Sequence, residues 1–218
     1  MIPPPKEFRG LLLVLSGPAG TGKTTLTERL LRNHPGTGRI VTCTTRPPRD
    51  REEHGVDYFF LSDREFDEAL ANGEFLEWAP VHTSRYGTRK SVVFTQLARD
   101  TDLVVNVDVQ GARAYRKAFE GNPEMRGRLV TVFIMPPDME TIRARLLGRG
   151  QDSNEQIERR IRTALCEIDQ WTDFDYCLVT GSRDEDYARI EGIWRAEKCR
   201  VARLRPQIST GSDRVPHS

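Results

Sequence analysis

Glycines, a lysine and a pair of threonine hydroxyls crowd into one turn of this 218-residue chain. Gly17, Pro18, Ala19, Gly20, Thr21, Gly22, Lys23 and Thr24 satisfy GxxxxGK[ST], and Thr25 follows. That order of residue types builds an anion cradle. Glycines let backbone N–H groups converge on phosphate oxygens, and a helix opening at the lysine adds partial positive charge. Lys23 then reaches the β- and γ-phosphates, while the Thr24 hydroxyl can ligate Mg2+. The motif has meaning only between a strand and a helix, and the apolar run at 11–15 with the periodic segment after Lys23 supplies that setting. A nucleoside triphosphate with Mg2+ is thereby implied, but not the reaction, because ATPases, GTPases and kinases share the cradle. No NKxD follows, which disfavours a GTPase.

A second set of chemical groups lies at 45–60, in TRPPRDREEHGVDYFF, where Arg46 and Arg49 precede Tyr58. Guanidinium forks bind phosphate oxygens bidentately and a phenol adds a neutral donor. Taken alone, a basic loop is more often solvated surface. A third set is RLLGRGQDSNEQIERR, in which Arg145 and Arg149 flank one turn and Arg160 sits on the following helix, with Gly148 and Gly150 as hinge positions.

The elements that must position these groups alternate. Apolar runs at 11–16, 39–43, 103–108, 129–135 and 176–180 read as strands. Segments at 23–33, 63–72, 89–99, 111–119, 139–147, 154–172 and 184–204 have helical period, and capping boxes are read at Ser62/Glu65 and Ser153/Gln156. Strands apolar along their whole length imply an α/β fold, a P-loop NTPase-type parallel sheet with helices on both faces. The polar and aromatic stretch from Thr45 to Tyr86 interrupts the alternation and reads as a small inserted subdomain. The expected organisation is an extension at 1–9, one domain over 10–205, and a disordered tail at 206–218.

Bulk properties set limits. Net charge is +1, so no global field draws the chain to nucleic acid or an anionic membrane. The longest apolar run is too short to span a bilayer and no signal-peptide core is seen, so the chain reads as cytoplasmic. Cys43, Cys166, Cys177 and Cys199 form no CxxC pair, and the four histidines have no metal-ligand spacing.

The P-loop, the TTRPPRDREEHGVDY stretch, the FLEWAPVHTSRYGT stretch and the GRGQDS stretch occur in an order that resembles the guanylate kinase family, over about residues 10–204. What this resemblance implies is a transfer of the γ-phosphate of ATP to GMP and dGMP. It likewise implies that the insert, over about 42–88, binds a nucleotide monophosphate and that the arginine-rich stretch at about 145–160 forms a helical lid. Thr42, Arg46, Arg49, Tyr58, Glu77, Tyr86, Thr88 and Asp108 would line the GMP site, with Arg46, Arg49, Tyr58 and Tyr86 on its phosphate. Glu52 would support the arginines. Lys23, Arg145, Arg149 and Arg160 would quench the charge of the transferring phosphoryl group. Guanine presents N1–H and its 2-amino group on one edge, so one carboxylate such as Glu77 can accept both. Adenine, with a lone pair at N1 and no 2-amino group, would face repulsion there. Thr42 can donate to O6, and Asp108 can accept from the 2-amino group.

Three departures from the family pattern stand out. Asn106 occupies the first acidic position of DxDxQG, Thr180-Gly181-Ser182 replaces a VNDD-like stretch that helps hold adenine, and Arg51 replaces a glycine while Ser84-Arg85 replaces GN. Weaker metal binding follows from the first, and an open donor-base selectivity from the second. Two other readings stay open on sequence: a non-catalytic protein-binding module of the same family, and a P-loop kinase of another phosphorylated small molecule such as a ribose bisphosphate.

Overall fold

The computed structural model describes residues 7–81, 83–147 and 154–205. Five strands make the main sheet: β2 (Leu12–Ser16), β3 (Thr37–Arg39), β8 (Asp102–Asn106), β9 (Leu129–Met135) and β10 (Tyr176–Val179). Their order is β10-β9-β2-β8-β3 and each pairing is parallel. All five residues of β2 are buried, because the sheet is covered on both faces and neither side of the strand meets water. Leu11, Leu13 and Leu15 pack with Leu26 and Leu30 of α1 (Lys23–Asn33) and with Tyr187, Ile190 and Trp194 of α7 (Arg183–Lys198). Leu12 and Val14 face the other way, toward Val93 and Leu97 of α3 (Lys90–Ala98) and Ala112, Tyr115 and Phe119 of α4 (Val109–Glu120). Each such leucine removes a full side chain from water, worth roughly 1.5–3 kcal/mol.

A second sheet of four strands stands apart from the first, in the order β5-β4-β7-β6. Its members are β4 (Cys43–Thr44), β5 (Phe59–Phe60), β6 (Phe75–Val81) and β7 (Ser84–Arg89), and α2 (Asp63–Ala71) packs on it. A small core of Cys43, Phe66, Ala69 and Phe75 holds helix to sheet, with Phe66 and Phe75 stacked at 4.5 Å. The Ser62/Glu65 capping box is present at the start of α2.

Several expectations need correction. The run 39–43 is not one strand: Thr37–Arg39 belongs to the main sheet and Cys43–Thr44 to the second, so the chain changes sheets between them. The helix read at 154–172 ends with α6 (Asn154–Ile168), followed by a short 3-10 turn at Trp171–Asp173. The helix read at 184–204 stops at Lys198, and Leu204–Arg205 forms β11, which pairs antiparallel with β1 (Glu7–Phe8). Buried Arg203 ties that terminus down, its guanidinium donating to both the backbone carbonyl and the carboxylate of buried Glu197. Arg51 has φ 72°, a left-handed conformation that costs a side chain ~1–2 kcal/mol and that glycine adopts freely. Arg85 bonds Asp63 at 2.8 Å and pairs with Asp67 while its guanidinium lies 4.6 Å over the Phe66 ring, so it binds β7 to α2. Among the described residues no helix is long and apolar enough to cross a membrane.

Candidate active site

The main strands end on one edge, and there β2 turns into the loop that opens α1. Gly17 has φ 130°, and a Cβ there would lie 2.5 Å from the carbonyl oxygen of Ile134 on β9. Only glycine lets the loop pass this close to the sheet. Gly22, at φ 95°, caps α1 without offering a side-chain acceptor, so the first-turn N–H groups are left to whatever sits in the loop. Lys23 Nζ donates to the carbonyls of Gly17 (2.5 Å) and Pro18 (2.8 Å), which folds the side chain back across the loop. Thr21 donates to Pro18 O at 2.9 Å, and Thr24 and Thr25 are exposed at the start of α1. From α5 (Met139–Leu147), Arg145 reaches the same loop, with Nη1 3.2 Å from Gly20 O. A cleft of about 520 Å3 adjoins the loop, bounded by Gly20, Thr25, Arg29, Arg145, Gly181 and Arg183. The glycine cradle, the ammonium and the exposed threonine fit a magnesium–triphosphate group.

Asn106 closes β8 beside this loop, and its Oδ1 accepts from the Thr27 hydroxyl at 2.7 Å. Thr180, Gly181 and Ser182 sit at the far side of the cleft. Ser182 caps α7 in a capping box with Glu185, and Gly181 N donates to Asp186 at 2.8 Å. This SRDE capping box is plain in the sequence and went unread there.

The second sheet supplies the other half. Glu77 of β6 lies opposite Thr88 of β7 in the strand register, and Glu77 Oε1 accepts from the Thr88 hydroxyl at 2.7 Å. Burial pushes the Glu77 carboxyl above the ordinary carboxylate range; the Thr88 bond opposes that and the charge of Asp108 adds to it. Asp108 is the N-cap of α4, its Oδ1 accepting from Gly111 N at 2.7 Å. Two α4 turns later, Tyr115 is wholly buried beside Thr88. Thr42 is half-buried, and its carbonyl takes the N–H of Phe59.

At the outer end, Arg46 Nη2 bonds both oxygens of Glu52 at 2.8 and 2.9 Å, and Arg49 N reaches Glu52 Oε2 at 2.7 Å. Glu52 is held below the usual carboxylate range: the Arg49 backbone N–H lowers it most, desolvation opposes that, and the Arg46 fork with the charges of Arg46 and Arg49 lowers it further. Tyr86 lies beside the Arg46 guanidinium, the rings of Tyr58 and Tyr86 are 5.9 Å apart, and Arg46 stands 5.6 Å from the Tyr58 ring centre. Arg46, Glu52, Tyr58 and Tyr86 are therefore one cluster, with Arg49 exposed on its rim.

Arg160 is exposed on α6. Gly148, Arg149, Gly150 and the capping box at Ser153/Gln156 lie outside the described residues. One residue that sequence reasoning passed over is Glu167 of α6, close enough to Lys23 and Asp108 to feel both charges. Burial raises its carboxyl to about 7, Lys23 opposing and Asp108 reinforcing the rise. Its only sequence signal was position, three residues past buried Ala164 on a helix otherwise rich in charge.

Comparison with known proteins agrees with this layout. The family model described as guanylate kinase matches residues 9–197. A guanylate kinase of Streptomyces coelicolor is 43% identical over 187 residues, covering 86% of this chain and 91% of the relative. One from Chelativorans sp. is 40% identical over 195 residues, covering 89% and 87%. The crystal structure of guanylate kinase from Anaplasma phagocytophilum superposes with a TM-score of 0.66 at 30% identity, covering 92% of each chain. With both sheets, the phosphate loop and the facing carboxylate in place, the chain belongs to the guanylate kinase family.

Proposed function

We propose that this protein catalyses ATP + GMP ⇌ ADP + GDP, with dGMP as a second acceptor. The observation that carries the reading is the pairing of Glu77 with Thr88 at one end of the second sheet and of Arg46 with Glu52 at the other. A carboxylate for a two-donor base edge and a guanidinium–phenol cluster for a phosphate thus stand on one small scaffold. The first selects guanine over adenine, and the second seats the acceptor phosphate toward Lys23.

The acceptor phosphate has a second pKa of about 6 and is largely dianionic near neutrality, so no side chain has to remove a proton. What the chain must do is bring two polyanions together and keep water away. Lys23 turns from the Gly17 and Pro18 carbonyls to the triphosphate, and Arg145, already on the loop, adds charge where the β–γ bridge oxygen gains it. Arg149 and Arg160 complete the cationic set in this reading. Thr24 would hold Mg2+, which when bound neutralises the β- and γ-oxygens.

Persistence of Lys23 and Thr24 disfavours a purely protein-binding module, and the Glu77–Asp108 pair disfavours a ribose bisphosphate acceptor. ADP release from ATP and Mg2+ with GMP, dGMP, AMP or ribose 1,5-bisphosphate separates these cases. Turnover with GMP and dGMP alone is expected; no GMP turnover at saturating magnesium-ATP refutes the proposal.

A further inference from the structure

The base-reading carboxylate is held from beneath by a chain of groups that begins in the main core. Tyr115 is 0% exposed, and its ring packs in the apolar layer between the main sheet and the second one, with Leu76, Val93 and Leu97. Its hydroxyl is buried close to the Thr88 side chain and meets the geometry of a hydrogen bond with no partner among the described residues. An orphaned buried hydroxyl costs roughly 1–3 kcal/mol. Phenylalanine would fill the same space without that cost, so the oxygen needs an explanation other than packing.

The neighbour of that hydroxyl is the Thr88 side chain, also 0% exposed. Thr88 has one proton to give, and gives it to Glu77 Oε1 at 2.7 Å. The Thr88 oxygen is then left as an acceptor, and a protonated phenol is a donor. Burial keeps the phenol protonated, pushing its ionisation far above the ordinary range. The polarity of the chain has only one sense: Tyr115 to Thr88, Thr88 to Glu77, and Glu77 to a donor in the cleft.

We propose that Tyr115 is a positioning residue for base recognition, its hydroxyl closing onto Thr88 when a purine edge loads Glu77 and so fixing the carboxylate plane that reads two donors. Tyr115 touches neither base nor phosphate. Its placement follows from α4, whose N-cap Asp108 faces the same base site and whose seventh residue onward returns to that side of the helix. Core and specificity site are joined through this one helix.

The proposal rests on Glu77 as the base reader, and the test separates the two. KM and kcat are measured with GMP and with inosine monophosphate, which keeps N1–H but lacks the 2-amino group, for wild type, Tyr115→Phe, Thr88→Val and the double variant. Tyr115→Phe is expected to raise KM for GMP about three- to tenfold, the range of one neutral hydrogen bond. It should narrow the GMP-to-inosinate preference, with kcat affected less than KM and KM for ATP unmoved. In the Thr88→Val background the same change should add nothing, because the link to Glu77 is already cut. Unfolding midpoints at or above that of wild type exclude a folding defect as the cause. Unchanged KM and preference in well-folded Tyr115→Phe overturns the positioning role while leaving Glu77 intact; a wild type that does not prefer GMP over inosinate overturns the base-reading premise itself.

Discussion

Replacing Glu77 with glutamine isolates the charge proposed to select the base, because the two side chains have the same shape. In the structure Oε1 takes the Thr88 proton, leaving Oε2 and the second lone pair of Oε1 for the purine edge. An amide keeps one acceptor oxygen but presents N–H donors where the other oxygen stood. With the oxygen retained on Thr88, the amide nitrogen faces a guanine N–H, donor against donor. Each lost hydrogen bond to a charged group is worth ~1.5–3 kcal/mol. Losing one such bond and weakening the other gives ~2–4 kcal/mol, or a fall of about 30- to 1,000-fold in kcat/KM for GMP. Turnover of AMP should not fall, because adenine N1 can accept from the new amide. The carboxyl of wild-type Glu77 is raised by burial, so a second consequence concerns acid. Below that raised pKa the group is protonated and one acceptor is gone. KM for GMP should therefore climb as pH drops toward the acid side, and glutamine should remove that limb. The assay is coupled ADP release with GMP and AMP across pH; a Glu77→Gln enzyme whose GMP-to-AMP ratio stays within threefold of wild type refutes the base-reading role.

Lys23→Ala should lower kcat by about 10²–10³, the cost of removing one preorganised transition-state donor, with GMP affinity by calorimetry kept within a few fold. Asn106→Asp keeps the acceptor that Thr27 uses and adds a charge beside the phosphate loop, so half-maximal rate should need about tenfold less Mg2+; an unmoved magnesium curve argues against the amide weakening metal binding. Arg203→Met leaves Glu197 buried without its guanidinium and should cost ~3–5 kcal/mol in urea unfolding at neutral pH. Burial would raise the Glu197 carboxyl, but Tyr176, Arg203 and Arg200 together bring it below the ordinary value. Its contribution is thus complete above the unfolded carboxyl pKa of about 4.3 and disappears as pH falls through the lower folded value. The gap between wild type and variant should therefore narrow below about pH 4.

Periodicity located the elements that present a continuous apolar face or run and missed those held by small or charged residues. The bounds of α1, α5 and β9 are those the sequence pattern implies, because each has a continuous apolar face or run. The strand β7 was invisible as a strand: SRYGTR has no apolar alternation, since its buried members, Gly87 and Thr88, are small and not aliphatic. The end of α7 was overrun because Arg203, a charged residue, turns into the core to meet Glu197. Charge pairing inside a core cannot be seen in a hydropathy pattern. Arg46, Glu52, Tyr58 and Glu77 were identified through motif resemblance, and the structure brings the first three together while placing Glu77 on Thr88. Tyr115 and Glu167 were not found because helical tyrosine and glutamate read as core and solvent face until a second sheet or a lysine is set against them.

The second sheet holds two carboxylates driven in opposite directions, and under the proposed function that opposition would let one scaffold handle a neutral base and a dianion. Glu52 is kept anionic by a backbone N–H and an arginine fork, so Arg46 is oriented and part-neutralised before any phosphate arrives. An incoming phosphate competes for a guanidinium already aimed, whereas Arg49, exposed on the rim, would add charge at the ordering cost of a side chain not yet held. Among the described residues Glu77 has no cation of this kind, and it is raised by burial instead. A desolvated carboxylate gains most from a neutral ligand that brings two N–H donors, and gains little from one that brings a lone pair. In the proposed site discrimination would come from the shortage of donors around Glu77, with the Thr88 bond supplying orientation without satisfying the carboxylate. An added arginine near Glu77 would stabilise the carboxylate in the empty site and erode the preference for guanine, even though it would strengthen the fold locally.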